Sequence, residues 1–305
     1  MARNDLSKIG IGTWGIGGFV NKNPNNDDEK QLTALKFMFE NGLNFLETGM
    51  WASNGHSAFL TSQAYKQSNL SREKVFLSQT VYQYNIESLS DVEREFRNYL
   101  DLFETDFVDA LQLNVVVIKK LGYENVITLM KKYLTAGKIR YVSVTNSDLS
   151  FLEKYHQEFG AELFAHEVGF NLEVRENEDF GIIDYAQKKG ILNVVYQPLR
   201  RNRTANKNYP LLMELSKKYK KTQNQIIINW IVSKGFLPIT KSENIEHIKE
   251  HLSSFDFNLE REDIIKLDGF RVQGYQSPKI DWYGDGSGIP IDKLSNVFDD
   301  HIKNS

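Results

Sequence analysis

Eight short runs rich in β-branched and aromatic residues, each followed by a stretch of helical periodicity, constrain this 305-residue chain more than any other feature. The runs read "KIGIGTW", "NFLETG", "KVFLSQTV", "FVDALQLN", "IRYVSVTN", "ELFAHEVGF", "LNVVYQPL" and "FLPIT". Between them, segments 28–41, 86–103, 124–136, 180–189 and 222–234 carry Leu, Ile, Phe and Tyr three and four residues apart, the spacing of a helix buried on one face. Strand followed by helix, repeated, argues for parallel pairing, and eight such units predict a (β/α)8 TIM barrel, a fold of about 250 residues. The rival is a doubly wound open sheet. It is disfavoured because the glycine-rich "GIGTWGIGG" does not supply G-x-G-x-x-G in register after the first strand.

No Pro- or Ser-rich linker divides the chain, so a single barrel domain is expected over 1–305. The tail 271–305, with "DWYGDGSGIP", reads as an appended loop and short helix lying over one mouth of the barrel. Lysine and arginine number 37 against 40 acidic residues, a balance that gives no field for nucleic acid or an anionic membrane surface. The absence of cysteine excludes disulfides, thiolate catalysis and sulfur-rich metal sites. The start "MARNDLSKIG" lacks an apolar signal core, and no window approaches the roughly 18 apolar residues of a membrane span. A cytoplasmic protein acting on a small molecule is the expectation, and oligomeric state is not legible.

In a parallel barrel the chemistry sits where strands end and the following loops begin. Those places hold Trp14, Glu47, Thr80, Asn114, Asn146, Glu167, Tyr196 and Lys241, a set with two carboxylates and one amine.

At these residues the chain resembles the aldo-keto reductase family, over roughly 9–270. "GIGTW" is similar to the family's first-strand motif, and "GLNFLETG" with "NGHS" resembles its G-x-x-x-x-D-T-A…Y-G-x-G-H-S segment. "KVFLSQTV" resembles the third strand ending in T-K, "FVDALQLN" the fourth ending in histidine, and "GKIRYVSVTNS" the G-K-I-R-x-x-G-V-S-N signature. "VVYQPL" is similar to Y-S-P-L, and "PITKSENIEHIKEHL" with "FDFNLEREDIIKLD" to the phosphate-binding and closing helices. The resemblance implies hydride transfer from NADPH to a carbonyl, with a tyrosine protonating the oxygen, a lysine lowering the tyrosine's pKa, an aspartate pairing with the lysine and a histidine orienting the carbonyl. Residue by residue, the aspartate position holds Glu47, the tyrosine position Ala52, the lysine position Thr80 and the histidine position Asn114. All four differ.

The cofactor positions that the resemblance implies are Thr13, Trp14, Thr145, Asn146, Glu167, Tyr196, Gln197, Leu199, Arg200, Arg201, Lys241, Ser242, Asn244, His247 and His251. Among them, Asn146 and Thr145 match residues that meet the nicotinamide carboxamide, Tyr196 the aromatic that stacks on its ring, and Lys241 and Ser242 the pair that holds the adenosine 2′-phosphate. His247 replaces the family arginine and His251 its adenine-binding asparagine, which predicts weakened NADP(H) affinity. Glu167 stands where the family has glutamine and can only accept from the carboxamide. Arg200, Arg201 and Arg203 in "RRNRTANKN" fall near a pyrophosphate. His247 and His251 lie four apart on one helix face without a third ligand or H-E-x-x-H, so no metal is expected. His56 in "NGHS" reads as a loop histidine with a local hydrogen bond.

An uncompensated Glu47 at a barrel mouth is expected to have a raised pKa, and it and Tyr82, two residues beyond Thr80, are the candidate acid/base groups. Three functions fit these residues. One is a nucleotide-binding protein without ordinary reductase chemistry, a pseudoenzyme. The others are an NADP-dependent oxidoreductase with a relocated proton donor, Glu47 or Tyr82, and a non-redox lyase or isomerase using Glu47.

Overall fold

The computed structural model describes residues 3–272, together with the backbone of 280–281 and 289–290. Eight parallel strands close into a barrel in sequence order: β1 (Gly10–Gly12), β2 (Phe45–Thr48), β3 (Phe76–Val81), β4 (Val108–Asn114), β5 (Ile139–Thr145), β6 (Leu163–Gly169), β7 (Leu192–Tyr196) and β8 (Leu237–Thr240). Each falls within one of the eight runs read from the sequence. Pairing of β8 with β1, Gly10 opposite Ile239, closes the ring and excludes the open sheet. The fold is the expected (β/α)8 barrel.

The strands were legible because both of their faces are buried, one in the barrel and one under the helices, which demands nearly continuous apolar runs. Helices Asp28–Glu40, Leu89–Phe103, Tyr123–Thr135, Ile182–Lys188 and Gln223–Ser233 fall where 3.6-residue periodicity placed them, with ends that differ by one to three residues. Their starts are set by caps. Ser88 and Asp91 form a capping box, so the helix expected from residue 86 begins at Leu89. Thr222 and Gln225 do the same for Gln223–Ser233.

Inside the barrel, residues alternate between core and helix layer with period two. The lower interior is apolar, built from Phe45, Phe76, Ala110, Phe164, Leu192 and Leu237, with Phe76 and Phe164 stacked at 4.6 Å. Gly10 faces the same layer, where a Cβ would stand 2.7 Å from the Phe45 ring. One step further along the strands the interior turns polar, with Glu47 two residues beyond Phe45, Gln112 two beyond Ala110 and Glu167 two beyond Ala165. This polar layer is the floor of the site.

Among the described residues no helix is long and apolar enough to cross a membrane. The tail expected over one mouth, 271–305, lies outside the described residues except for Arg271, Val272 and a parallel pair, Ile280–Asp281 with Ile289–Pro290.

Candidate active site

A cleft of about 550 Å³ opens where the strands end. Its lining falls into two groups by element. From β2, β3, β6 and the residues just after them come Glu47, Trp51, Tyr82 and Glu167, and the strand β1 side adds Trp14. From β7, β8 and the segments following them come Tyr196, Gln197, Leu199, Arg200, Arg201, Lys241, Ser242, Asn244, His247 and His251. Thr13, Ala52, Thr80, Asn114, Thr145 and Asn146 are not part of the lining; they stand behind it.

Glu47 and Glu167 are joined across the floor by a chain of side chains. Thr80 Oγ1 donates to Glu47 Oε1 at 2.6 Å, Gln112 Nε2 lies 3.3 Å from Thr80 Oγ1, and the same Gln112 amide donates to Glu167 Oε2. Thr13 Oγ1 donates to the Glu47 carbonyl at 3.2 Å and so ties β1 to β2. Burial pushes the Glu47 carboxyl up to about 7, against a smaller opposing effect of the Thr80 hydrogen bond. Burial and the neighbouring Glu47 also raise Glu167. Both acids therefore keep their protons to a higher pH than an ordinary carboxyl does. Glu167 is not at the end of β6, as the sequence suggested, because that strand continues two residues to Gly169 and brings the carboxyl inside the barrel.

Ala52 is buried beside Trp51 and Tyr82, with Trp14 and Tyr84 packed against them. The Trp51 ring lies 4.4 Å from Tyr82 and 5.0 Å from Trp14, edge-on to the latter. Gly49 makes room for it: a Cβ there would come within 2.7 Å of the indole and 2.1 Å of the Thr80 carbonyl oxygen. The Trp51 Nε1 is buried without a hydrogen-bond partner. Tyr82 follows directly on β3 and reaches the cleft, but burial, followed by Glu167, Tyr196 and Glu47, raises its phenol well above the ordinary value.

Asn114 is the last residue of β4 and caps the next helix, Val115–Leu121, accepting from Val116 N at 2.8 Å. Its Nδ2 is buried without a partner. His56 opens the helix His56–Gln67, and its Nε2 lies 2.7 Å from Asp28 Oδ2, a partner 28 positions away rather than a local one. His166, beside Glu167, is buried and neutral, its pKa pushed down to about 3, and contacts Ser147 Oγ at 3.0 Å.

On the other side of the cleft, Tyr196 donates its hydroxyl to Asn146 Oδ1 at 2.8 Å, and Asn146 is held in a left-handed turn (φ 58°) with its amide on the Glu167 carbonyl. Gly169 lies beneath the Tyr196 ring, where a Cβ would stand 3.1 Å from the hydroxyl. Lys241 Nζ is 3.0 Å from Glu243 Oε1 and 3.3 Å from the Gly15 carbonyl. Ser242 Oγ accepts from Asn244 N at 3.1 Å, and Asn244 caps the helix Ile245–Leu252 that carries His247 and His251. Burial pushes His251 down to about 4, so it is a neutral imidazole. The loop after β7 turns through left-handed residues at Gln197, Arg200, Arg201 and Asn202, backbone that non-glycine residues adopt at a cost of order 1 kcal/mol each. Within it, Arg200 is paired with buried Glu173, Arg201 stacks 4.8 Å from the Phe19 ring centroid, and Arg203 donates to the Arg200 carbonyl at 3.0 Å rather than lining the cleft. Among the described residues no group of three or more His, Asp or Glu is placed to hold a metal.

Sequence reasoning missed Gln112, Gly49, Glu173 and Glu243. For Gln112 a signal existed, since it lies two residues before Asn114 and shares its side of the strand. Glu243, two residues after Lys241, was visible as a carboxylate beside the lysine that the resemblance assigns to a phosphate. Gly49 and Glu173 acquire meaning only through contacts distant in sequence.

The model of the aldo/keto reductase family matches residues 8–271 of the chain. Glyoxal reductase of Bacillus subtilis is 24% identical over 268 residues, 88% of this chain and 92% of that protein. Methylglyoxal reductase YeaE of Escherichia coli is 24% identical over 90% of this chain and 93% of its own. Among solved structures, the thermostable aldo-keto reductase Tm1743 with the inhibitor epalrestat superimposes with a TM-score of 0.80 at 29% identity, covering 87% of this chain and 95% of that one. A Klebsiella pneumoniae aldo-keto reductase in complex with NADPH superimposes with a TM-score of 0.74 at 22% identity, covering 86% and 90%.

Proposed function

The chain belongs to the aldo/keto reductase family, and from that premise we propose that it is an NADP(H)-binding barrel that does not carry out ordinary carbonyl reduction. The observation that carries this reading is the floor of the cleft. Glu47, Thr80, Gln112 and Glu167 are hydrogen-bonded to one another where the resemblance puts an aspartate–lysine pair beside a tyrosine. Reduction of a carbonyl needs an acid at the oxygen that gains charge, and a positioned one contributes about 10²- to 10⁴-fold. Ala52 has no proton to give, and the Trp51 indole N–H does not titrate near neutrality. The Thr80 hydroxyl carries no charge to acidify a neighbour. Tyr82 is displaced in the wrong direction, its phenol made a weaker acid by burial and by Glu167. That removes support for a relocated tyrosine.

The residues on the β7–β8 side fit a dinucleotide. A nicotinamide cofactor would supply hydride chemistry; Tyr196, fixed by Asn146, offers it an aromatic face, and Lys241 and Ser242 offer an ammonium and a hydroxyl to a phosphate. Affinity is expected to be modest, because Lys241 is shared with Glu243 and His251 is neutral. Trp14 and Trp51 both line the cleft, so NADPH should quench tryptophan fluorescence saturably. Lys241→Ala should weaken that binding about tenfold, the loss expected for one charged hydrogen bond. No saturation at millimolar NADPH would reject the reading.

Glu47 favours a second reading, in which an oxidoreductase or a lyase or isomerase uses it as acid/base. A carboxyl pushed up to about 7 is half-protonated near neutral pH, the condition for general acid catalysis. Any turnover found should then vanish in Glu47→Gln while NADPH binding persists. Turnover unaffected by that substitution would exclude Glu47.

A further inference from the structure

The acidic and aromatic side of the cleft has a chemical preference of its own. We infer that the surface formed by Glu47, Glu167, Trp14, Trp51 and Tyr82 is a recognition site for an organic cation, a protonated amine or an iminium ion. The inference rests on the proposal that the β7–β8 side of the same cleft holds a dinucleotide.

Two buried carboxyls in one cleft are unfavourable unless something compensates them. Here the influences on Glu47 and Glu167 are burial, the Thr80 and Gln112 hydrogen bonds and, for Glu167, its neighbour Glu47; among the described residues no lysine or arginine is paired with either. The lysines and arginines that line the cleft are engaged elsewhere: Arg200 with Glu173, Lys241 and Lys30 with Glu243, and Arg201 over Phe19. A positive ligand group supplies the missing charge, and a neutral one does not. The aromatic rings point the same way. Trp51 packs 4.4 Å from Tyr82 and 5.0 Å from Trp14, these three rings line the same cleft as the two acids, and ring faces attract alkylammonium groups. Among the described residues, the other titratable groups packed near these acids include Tyr82 and Tyr99, whose phenols burial raises, and His166, which burial keeps neutral.

This ligand class also removes the difficulty posed by Ala52 and Thr80. When a hydride from a reduced nicotinamide adds to an iminium carbon, the C=N π electrons move to nitrogen and a neutral amine results. No proton is required in that transfer. The absent tyrosine–lysine couple is therefore a loss for carbonyl oxygen and not for a carbon–nitrogen double bond.

The test uses the intact protein, choline as the cationic probe and 3,3-dimethylbutan-1-ol as its uncharged isostere, titrated calorimetrically at about pH 8. Choline should bind at least about tenfold more tightly than the isostere. Its binding should also release a proton as a carboxyl ionises, visible as a dependence of the heat on the buffer's ionisation enthalpy. Glu47→Gln and Glu167→Gln, which keep the shape of the side chains, should each shrink the choline preference. Equal binding of the two probes, or no choline binding by protein that takes up NADPH, overturns the inference. Choline binding by protein that fails to take up NADPH leaves the cation site standing and removes the dinucleotide proposal instead.

Discussion

Glu47 differs from the aspartate of the family pattern by one methylene, and the larger change is in what faces it. With Thr80 opposite in place of a lysine, the carboxyl keeps a hydrogen bond and loses its counter-charge, and burial then moves its pKa from about 4.5 to about 7. A raised carboxyl pKa means that the folded state holds the proton more tightly than the unfolded chain. The associated stability is fully present below about pH 4.5 and is lost as the pH rises to about 7. A shift of this size corresponds to on the order of 3 kcal/mol. Urea unfolding should therefore show the wild type less stable at pH 8 than at pH 5, and Glu47→Gln should flatten that difference. Glu167 is raised as well and leaves a residual dependence of the same sign. A pH dependence identical in the two proteins would mean that Glu47 is ionised in the native state.

At the scale of the element, the strand ends decide which side chains reach the cleft. β4 is followed without a loop by the helix Val115–Leu121, and Asn114 turns its side chain back to cap it. The position that the resemblance assigns to a carbonyl-orienting histidine has become a helix start. Asn114→Ala should cost about 1 kcal/mol in urea unfolding, the usual loss for an N-cap, and Asn114→Asp should cost much less. If Asn114→Ala is neutral, the cap is not what holds Asn114. This junction also shows where sequence reasoning stopped. The eight strands and the main helices were legible because burial imposes period two or period 3.6 on apolar residues, and caps such as Ser88 and Thr222 refine the boundaries. "NVVVIKKL" gives no such signal, since three β-branched valines favour a strand and only the preceding asparagine announces a helix. The candidate site was legible near the strand ends, at Glu47, Tyr196 and Lys241, and Glu167 was named with them although it lies two residues inside β6. The partners that set its chemistry were not. Gln112 joins Glu167 to Thr80 across two strands, Glu243 occupies Lys241, and Gly49 admits Trp51 against the Thr80 carbonyl. Each depends on which strands become neighbours when the barrel closes.

Across the whole molecule, one cleft joins two chemically different sides. The β7–β8 side gathers Arg200, Arg201, Lys241, Ser242 and Asn244, which suit phosphates; the side built from β2, β3 and β6 gathers two buried acids and a cluster of aromatic rings. On the function proposed above, the first side binds NADPH while the second does not drive hydride to a carbonyl. The direct measurement is absorbance at 340 nm in protein already shown by fluorescence to be saturated with NADPH, after addition of glyoxal at neutral pH. The expected result is a decay indistinguishable from that of NADPH and glyoxal without protein. Turnover of about 1 s⁻¹ or faster, the ordinary range of enzymes, would contradict it.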